Sequence, residues 1–497
     1  MTPDGWNNRS REASQRADRN DREALAADGT AILWFRRDLR THDLPALARA
    51  AEFDSILPCF VFDDRLISNG RFPSPRRVEF MLGCLAELRQ DLRDLGADLI
   101  IRRGDPAEVI LGLARDSGAR VVHWTADVSP WSKLRDEKVR TVLEAEGVAV
   151  EVHPGGYIVD DPGAIRSGKG TPYTVYSPFA KAWQQVERRE VCDRPERLVA
   201  TEGIDPGDLP TLLELGLQPE PGDPSFVPGE AAARKAAKDY LNGGLGEYAE
   251  VRNRPSGGSS RLSPYMRWGS VSPLELELKL GLRPGKGPRV FRSELAWREL
   301  FAAVLENFPG VVEEEFQERY RGTLDWQSDD DLLGAWKQGR TGYPLVDAGM
   351  RELLADGWMH NRVRMVVASF LTKDLHIDWR EGEKWFMERL IDGDMASNNG
   401  GWQWVTSVGT DPAPYFQRMF NPMTQHERFD PESIYVKHWI PELAEVPGKK
   451  IFRPWLMSEQ EQEESGCRIG EDYPAPVIDH AEERRFAVER YRAAAGG

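Results

Sequence analysis

Five short apolar runs, separated by helical stretches, set the strongest limit on how this chain can fold. They are "AILWF" at 31–35, "SILPCFVF" at 55–62, "DLII" at 98–101, "RVVHW" at 120–124 and "VAVEVH" at 148–153. Each has strand length. The clearest helical stretch between them carries Val78, Met81, Leu82, Leu85, Leu88, Leu92 and Leu95 at spacings of three and four. Apolar strands that alternate with helices are buried on both faces and pair in parallel. Residues 30–155 therefore predict an α/β domain built on a doubly wound parallel sheet. Residues 156–228 are rich in Pro, Gly and Asp and predict an interdomain connector, with a helix around Ser177 to Val186. From residue 229 the strand signal fades. Helical periodicity over 229–242, 273–281, 291–306, 344–356, 358–373 and 381–391 predicts an all-α domain over 229–497. Residues 1–29 are polar, mixed in charge and poor in large apolar side chains, and predict a disordered tail.

Composition narrows the function classes. A chain of 497 residues exceeds what one core usually holds. It contains no run of about 18 apolar residues, so no membrane span is predicted. Cys59, Cys84, Cys192 and Cys467 are scattered without a CxxC. They read as reduced thiols of a cytoplasmic protein. The eight histidines show no HExxH and no close pairing along the chain, so no metal site is predicted. The net charge of −16 argues against a generic nucleic-acid binder, though it leaves room for a local basic patch.

Three motifs carry chemistry. "WFRRDLRTHD" follows the first strand and places Arg36, Arg37 and Arg40 near the carboxyl end of the sheet, where α/β ligands bind; a solvated basic loop is the alternative. Neither GxGxxG nor a Walker A loop is present. In "GGSSRLSPYMRWGSVSP" at 257–273, Gly257 and Gly258 allow close backbone approach, Ser259, Ser260 and Ser263 supply hydroxyls and Arg261 supplies charge. This is a phosphate cradle or, alternatively, an ordinary N-cap by Ser263 before Pro264. "WMHNRVRM" at 358–365 puts Asn361 and Met365 on one helix face with Arg364 adjacent, while Arg362 points elsewhere. A buried Arg needs a partner, and Asp392 and Asp394 of "DGDMASNNGGWQW" at 392–404 are the candidates. A DxD pair can also hold a divalent metal, but the flanking aromatic residues favour a large organic ligand.

Taken together, "WFRRDLRTHDLPAL", "SSRLSPYMRWGSVSP", "ELAWRELF", "TGYPLVDAGMRELLADGWMHNRVRMVVASFLTKDL", "DWREGEKWF" and "DGDMASNNGGWQW" resemble the photolyase/cryptochrome family, and class I cyclobutane pyrimidine dimer photolyases in particular. The resemblance runs from about Ala31 to about Arg490 and is densest between 240 and 430. It implies an FAD enzyme, active with the flavin reduced and anionic. Tyr248, Ser259, Ser260, Arg261, Leu262 and Ser263 would hold the diphosphate side. Trp297, Asn361, Arg364, Asp392, Asp394 and Asn398 would line the rest. Asp392 is expected against Arg364, Asn398 beside flavin N5, and Gly400 and Gly401 where the backbone passes closely. Trp402, Trp379 and Trp326 match an electron relay.

The resemblance also bears on substrate. Asn398 is the photolyase type, whereas plant cryptochromes carry Asp there and animal ones usually Cys. Six-four photolyases carry His at the positions of Asn361 and Met365. Trp297, Met365 and Trp404 match the enzymes that split cyclobutane dimers, with Glu294 as hydrogen-bond donor to the lesion and Arg252, Arg362 and Arg418 on DNA phosphates. The implied function is light-driven repair of cyclobutane pyrimidine dimers by a monomer acting on DNA. The alternatives are a cryptochrome-like light sensor with a protein partner and a six-four photolyase. An antenna chromophore of folate or deazaflavin type is expected on the N-terminal domain.

Overall fold

Burial of both strand faces organises the first third of the chain. In the computed structural model, which describes residues 29–496, the strands β1 (Thr30–Phe35), β2 (Ser55–Phe62), β3 (Ile100–Arg103), β4 (Val121–Thr125) and β5 (Ala149–His153) form one parallel sheet in the order β3-β2-β1-β4-β5. The predicted tail, apart from Gly29, lies outside the described residues. One sheet face packs Leu33, Phe35 and Phe60 with Phe80, Leu85 and Leu88 of the Pro75–Leu95 helix. The other packs Ile32, Trp34, Val122 and Trp124 against the Pro106–Ser117 and Pro130–Ala145 helices. Strand β3 starts two residues later than "DLII", because Asp98 is taken up locally: it accepts from Leu99 N at 2.7 Å and pairs with Arg89 and Arg93.

The strand order reverses at β1, which has β2 on one side and β4 on the other. A crevice opens there at the carboxyl ends, lined by Arg36, Arg37, Thr125, Asp127, Tyr157 and Arg298. The arginine loop is not solvated. Arg36 pairs with Asp136 at 2.6 Å, and the buried Arg40 donates to the carbonyls of His42, Asp43, Gly155 and Gly269.

The connector is part of the folded body. Leu198 N donates to Leu95 O, Ala200 bridges Ile56, and Ile101 N donates to Pro206 O, so this stretch covers the outer sheet. Its helix spans Tyr176–Trp183, three residues short of Val186. Beyond it the chain is helical, and the Pro273–Gly281 and Pro344–Asp356 helices have the bounds that periodicity predicts. The Lys286–Asn307 helix starts five residues early, at Lys286. The Asn361–Lys373 helix starts late, because His360 caps it by accepting from Arg362 N at 3.1 Å. The Trp379–Arg389 helix likewise starts where Asp378 caps Arg380 N.

Two layers meet over an unusual set of contacts. One apolar cluster runs without a break from the sheet into Tyr265, Leu274, Leu295 and Leu300 of the helical half. Arginines of the Pro75–Leu95 helix then reach the last carbonyls of distant helices: Arg76 donates to Leu353 and Leu354, Arg77 to Met387 and Leu390. Helix C-termini leave such carbonyls without partners of their own. Close approach at Gly269 completes the joint. Its φ is +68°, a Cβ would stand 2.2 Å from Arg37 O, and Leu39 N donates to Trp268 O beside it. A Gly269→Ala chain should lose roughly 2–4 kcal/mol of stability through left-handed strain and backbone clash. The check is a fall in thermal midpoint with both halves affected together; an unchanged midpoint would contradict this account of the joint.

Candidate functional site

The two acids that open "DGDMASNNGGWQW" have separate tasks. Asp394 caps the Met395–Thr406 helix, accepting from Ser397 N at 3.0 Å, and pairs through its other oxygen with Arg37 from the end of β1. Burial pushes its carboxyl up, but Arg37, Arg267 and Arg298 outweigh that and hold it well below the usual carboxylate range. Asp392 accepts from Arg364 Nη2 at 2.8 Å, the predicted pairing, and its Oδ1 is buried with no hydrogen-bond partner. Asn398 Nδ2 donates to Glu383 O at 3.0 Å, and Asn399 Nδ2 to the Glu383 carboxylate at 3.1 Å. Burial raises Glu383 to about 7. Gly400 is required by Phe301, whose ring a Cβ would meet at 2.3 Å, whereas Gly401 faces open space.

The serine loop is assembled partly as expected. The Tyr248–Val251 helix packs its Tyr248 ring on Phe291, and Gly258, at φ +83°, lies tight on Val251. Ser259 and Ser260 accept only from Arg261 N and Leu262 N, both at 3.4 Å. Two expectations need correcting. The N-cap position belongs to Leu262, and Ser263 is the first helical residue, its Oγ taken by Trp358 Nε1 at 3.2 Å. The Arg261 guanidinium turns away from the hydroxyls: it pairs with Asp223 and stacks on Phe226 and Trp358, at 4.4 and 4.7 Å from the ring centres.

A second group of residues faces the same region. Trp297 and Trp404 stand edge to face with centroids 6.3 Å apart. Tyr176, from the connector, stacks flat on Trp297 at 4.0 Å and anchors its hydroxyl on Ser293. No local motif marks Tyr176, and the sequence reading missed it. Arg418 was expected on a DNA phosphate, but it is buried. Its guanidinium lies 3.7 Å from the Trp404 ring and donates to Trp404 O and Asp411 O, so it positions Trp404 and has no free face for a phosphate. Glu294 pairs with Arg252. Burial raises its pKa, with Arg252 and Arg362 opposing. Arg362 donates twice to Asn253 Oδ1; burial lowers it to about 10, and the charges of Arg252 and Arg428 add to the effect. Asn361 is exposed, with Met365 Sδ 4.0 Å from its amide.

The three tryptophans expected as a relay sit on elements that touch one another. Gly382, which has no side chain, admits the Trp402 ring against the Trp379–Arg389 helix. Trp379 begins that helix, buried, with its indole N–H on Glu315 at 3.2 Å. Just before it, Ile377 bridges Gln327, the neighbour of the half-buried Trp326.

Comparison with known proteins decides the family. Residues 31–196 match the DNA photolyase family and residues 291–493 the FAD binding domain of DNA photolyase. A deoxyribodipyrimidine photo-lyase of Halobacterium salinarum is 41% identical, over 94% of this chain and 99% of its own length. The chain belongs to the DNA photolyase family. Among solved photolyases, a bacterial class III enzyme from Agrobacterium tumefaciens superimposes with a TM-score of 0.88 at 32% identity, covering 95% of this chain and 98% of the other. An archaeal photolyase from Sulfolobus tokodaii, described with two FAD molecules, gives 0.80 at 30% identity, covering 93% and 100%.

FAD suits the donor set of this photolyase. Asp392 keeps one buried oxygen without a partner, Ser259 and Ser260 have only long backbone contacts, and Gly401 borders open space. The matched FAD domain contains Trp297, Asn361, Arg364, Asp392, Asp394, Asn398 and Trp402; the serine loop lies between the two matched segments. The arginines separate by measurement. Arg362→Ala should weaken DNA binding and reduce the slope of log K against log salt by about 1, the signature of one lost phosphate contact. Arg418→Ala should weaken binding of damaged DNA with the slope unchanged. Equal slopes for Arg362→Ala and the parent chain would contradict the assignment.

Proposed function

We propose that this chain repairs cyclobutane pyrimidine dimers in DNA with blue light, and that the arrangement of Glu294, Trp297, Trp404 and the paired arginines carries that reading. Asp392 with Arg364, Asp394, Asn361 and Asn398 would hold the flavin side of FAD, and Tyr248 with Ser259, Ser260 and Leu262 the diphosphate side. Bound FAD, reduced and anionic, supplies on excitation the electron that opens the cyclobutane ring and is afterwards returned.

The chain's own residues do the rest. A damaged step is already weakened, so flipping it out of the duplex costs less there. Trp297 and Trp404 offer two apolar walls at right angles for the flipped bases, one braced by Tyr176 and the other by Arg418. Arg252 and Arg362 take the flanking phosphates, and the nearby Arg428 adds to their field. When phosphate draws Arg252 away, Glu294 loses the charge that opposes its raised pKa. With that opposition relieved its carboxyl takes up a proton more readily, and the acid would donate to the lesion carbonyls as negative charge develops there. Trp326, Trp379 and Trp402 carry an electron inward from the surface. The crevice at the β1–β4 switch point is a place for an antenna chromophore, of folate or deazaflavin type, and the second FAD described for the Sulfolobus tokodaii enzyme supports a further cofactor in the family. The protein acts as a cytoplasmic monomer, its sheet domain over 30–155 and its helical domain over 229–497.

Glu294→Ala should lower the quantum yield of repair while FAD content stays normal, since a charge-assisted hydrogen bond is worth roughly 1.5–3 kcal/mol. Glu294→Gln, which keeps a donor, should fall between. Parent-level yield in Glu294→Ala under single-turnover flashes would remove Glu294 from the mechanism. Separately, Trp326→Phe should slow photoreduction of the oxidised protein and spare repair by protein already reduced. Unchanged photoreduction in Phe variants of all three tryptophans would show them to be core residues only.

A further inference from the structure

No two histidines are close in the sequence, but the sheet brings a pair together away from the flavin side. In the parallel register His123 of β4 stands beside Glu151 of β5, and Thr125 beside His153. Side chains alternate along a strand, so His123, Glu151 and His153 share one sheet face. His123 Nδ1 lies 3.0 Å from His153 Nε2. Glu151 Oε2 lies 3.6 Å from the first nitrogen and 3.8 Å from the second. Zinc bonds of about 2.0–2.1 Å in tetrahedral geometry put neighbouring donor atoms about 3.3 Å apart, and the observed triangle brackets that spacing.

We propose that His123, Glu151 and His153 bind one divalent transition-metal ion of the zinc type, which fastens the edge strand β5 to β4. The donor set is two imidazoles and a carboxylate, which suits zinc better than the hard, oxygen-seeking cations. Glu151 Oε1 is buried without a hydrogen-bond partner, so the carboxylate is not fully satisfied by its neighbours alone. His123 is fully buried, with Phe53 edge-on to its ring at 5.5 Å. The nearest opposing charge is Arg49, whose Nε is 3.3 Å from Glu151 Oε2. Its guanidinium also pairs with Glu52, so the patch of Arg49, Glu52 and Glu151 is negative overall.

The test is equilibrium dialysis of tag-free, chelator-treated, FAD-loaded protein against zinc chloride, with bound metal counted by mass spectrometry. The parent chain should hold one zinc per chain and show a zinc-dependent rise in thermal midpoint. His123→Ala and the isosteric Glu151→Gln should each bind at least about tenfold more weakly, with flavin absorbance unchanged. If the His123 variant fails to fold, Glu151→Gln and the midpoint shift of the parent decide alone. Absence of bound zinc in the parent, or equal binding by parent and Glu151→Gln, overturns the site and leaves a hydrogen-bonded histidine pair.

Discussion

The ion pair between Arg37 and Asp394 joins the carboxyl end of a parallel sheet to the start of the helix that carries Asn398 and Trp402. Its two members are 357 residues apart in sequence. Asp394 would be costly to bury alone, and its place at a helix N-terminus offsets only part of that cost. Arg37, aided by Arg267 and Arg298, supplies the rest. The pair therefore holds only when sheet and helical half are docked together. The same logic recurs in Arg76 and Arg77, which complete the ends of helices they do not belong to. Sheet and helical half share one apolar cluster, and the site stands where they meet.

Charge is used locally in a chain whose total is −16. Burial, then the charges of Arg252 and Arg428, depress Arg362, and the charge of Glu294 opposes them. Such a cluster creates a positive field over a small area despite the acidic excess elsewhere. Glu294 pairs with Arg252 within this cluster, and burial raises its pKa against the opposing charges of Arg252 and Arg362.

Much of this was legible in the sequence, and the failures have a common cause. Strands announced themselves because buried parallel strands are apolar on both faces, and the Pro273–Gly281 and Pro344–Asp356 helices because proline marks their starts and apolar periodicity their length. The need of a buried guanidinium for a partner pointed to Asp392 or Asp394, and the family resemblance chose Asp392, which Arg364 does pair with. Sequence could not say which partner an arginine would choose among several. Arg261 took Asp223 from the connector and Arg418 folded onto Trp404, both long-range choices set by tertiary packing. Tyr176 and the His123–His153 pair escaped for the same reason, since neither belongs to a local pattern.

Together these residues are proposed to make a light-driven repair site for cyclobutane dimers. It is tested most directly by illuminating the purified, FAD-loaded and reduced chain with blue light in the presence of an oligonucleotide carrying one defined cyclobutane thymine dimer, and following restored thymine absorbance. The account predicts multiple turnovers in light and none in darkness, with a six-four lesion in the same sequence left intact. Absence of dimer loss in light, or equal loss in the dark, would contradict it.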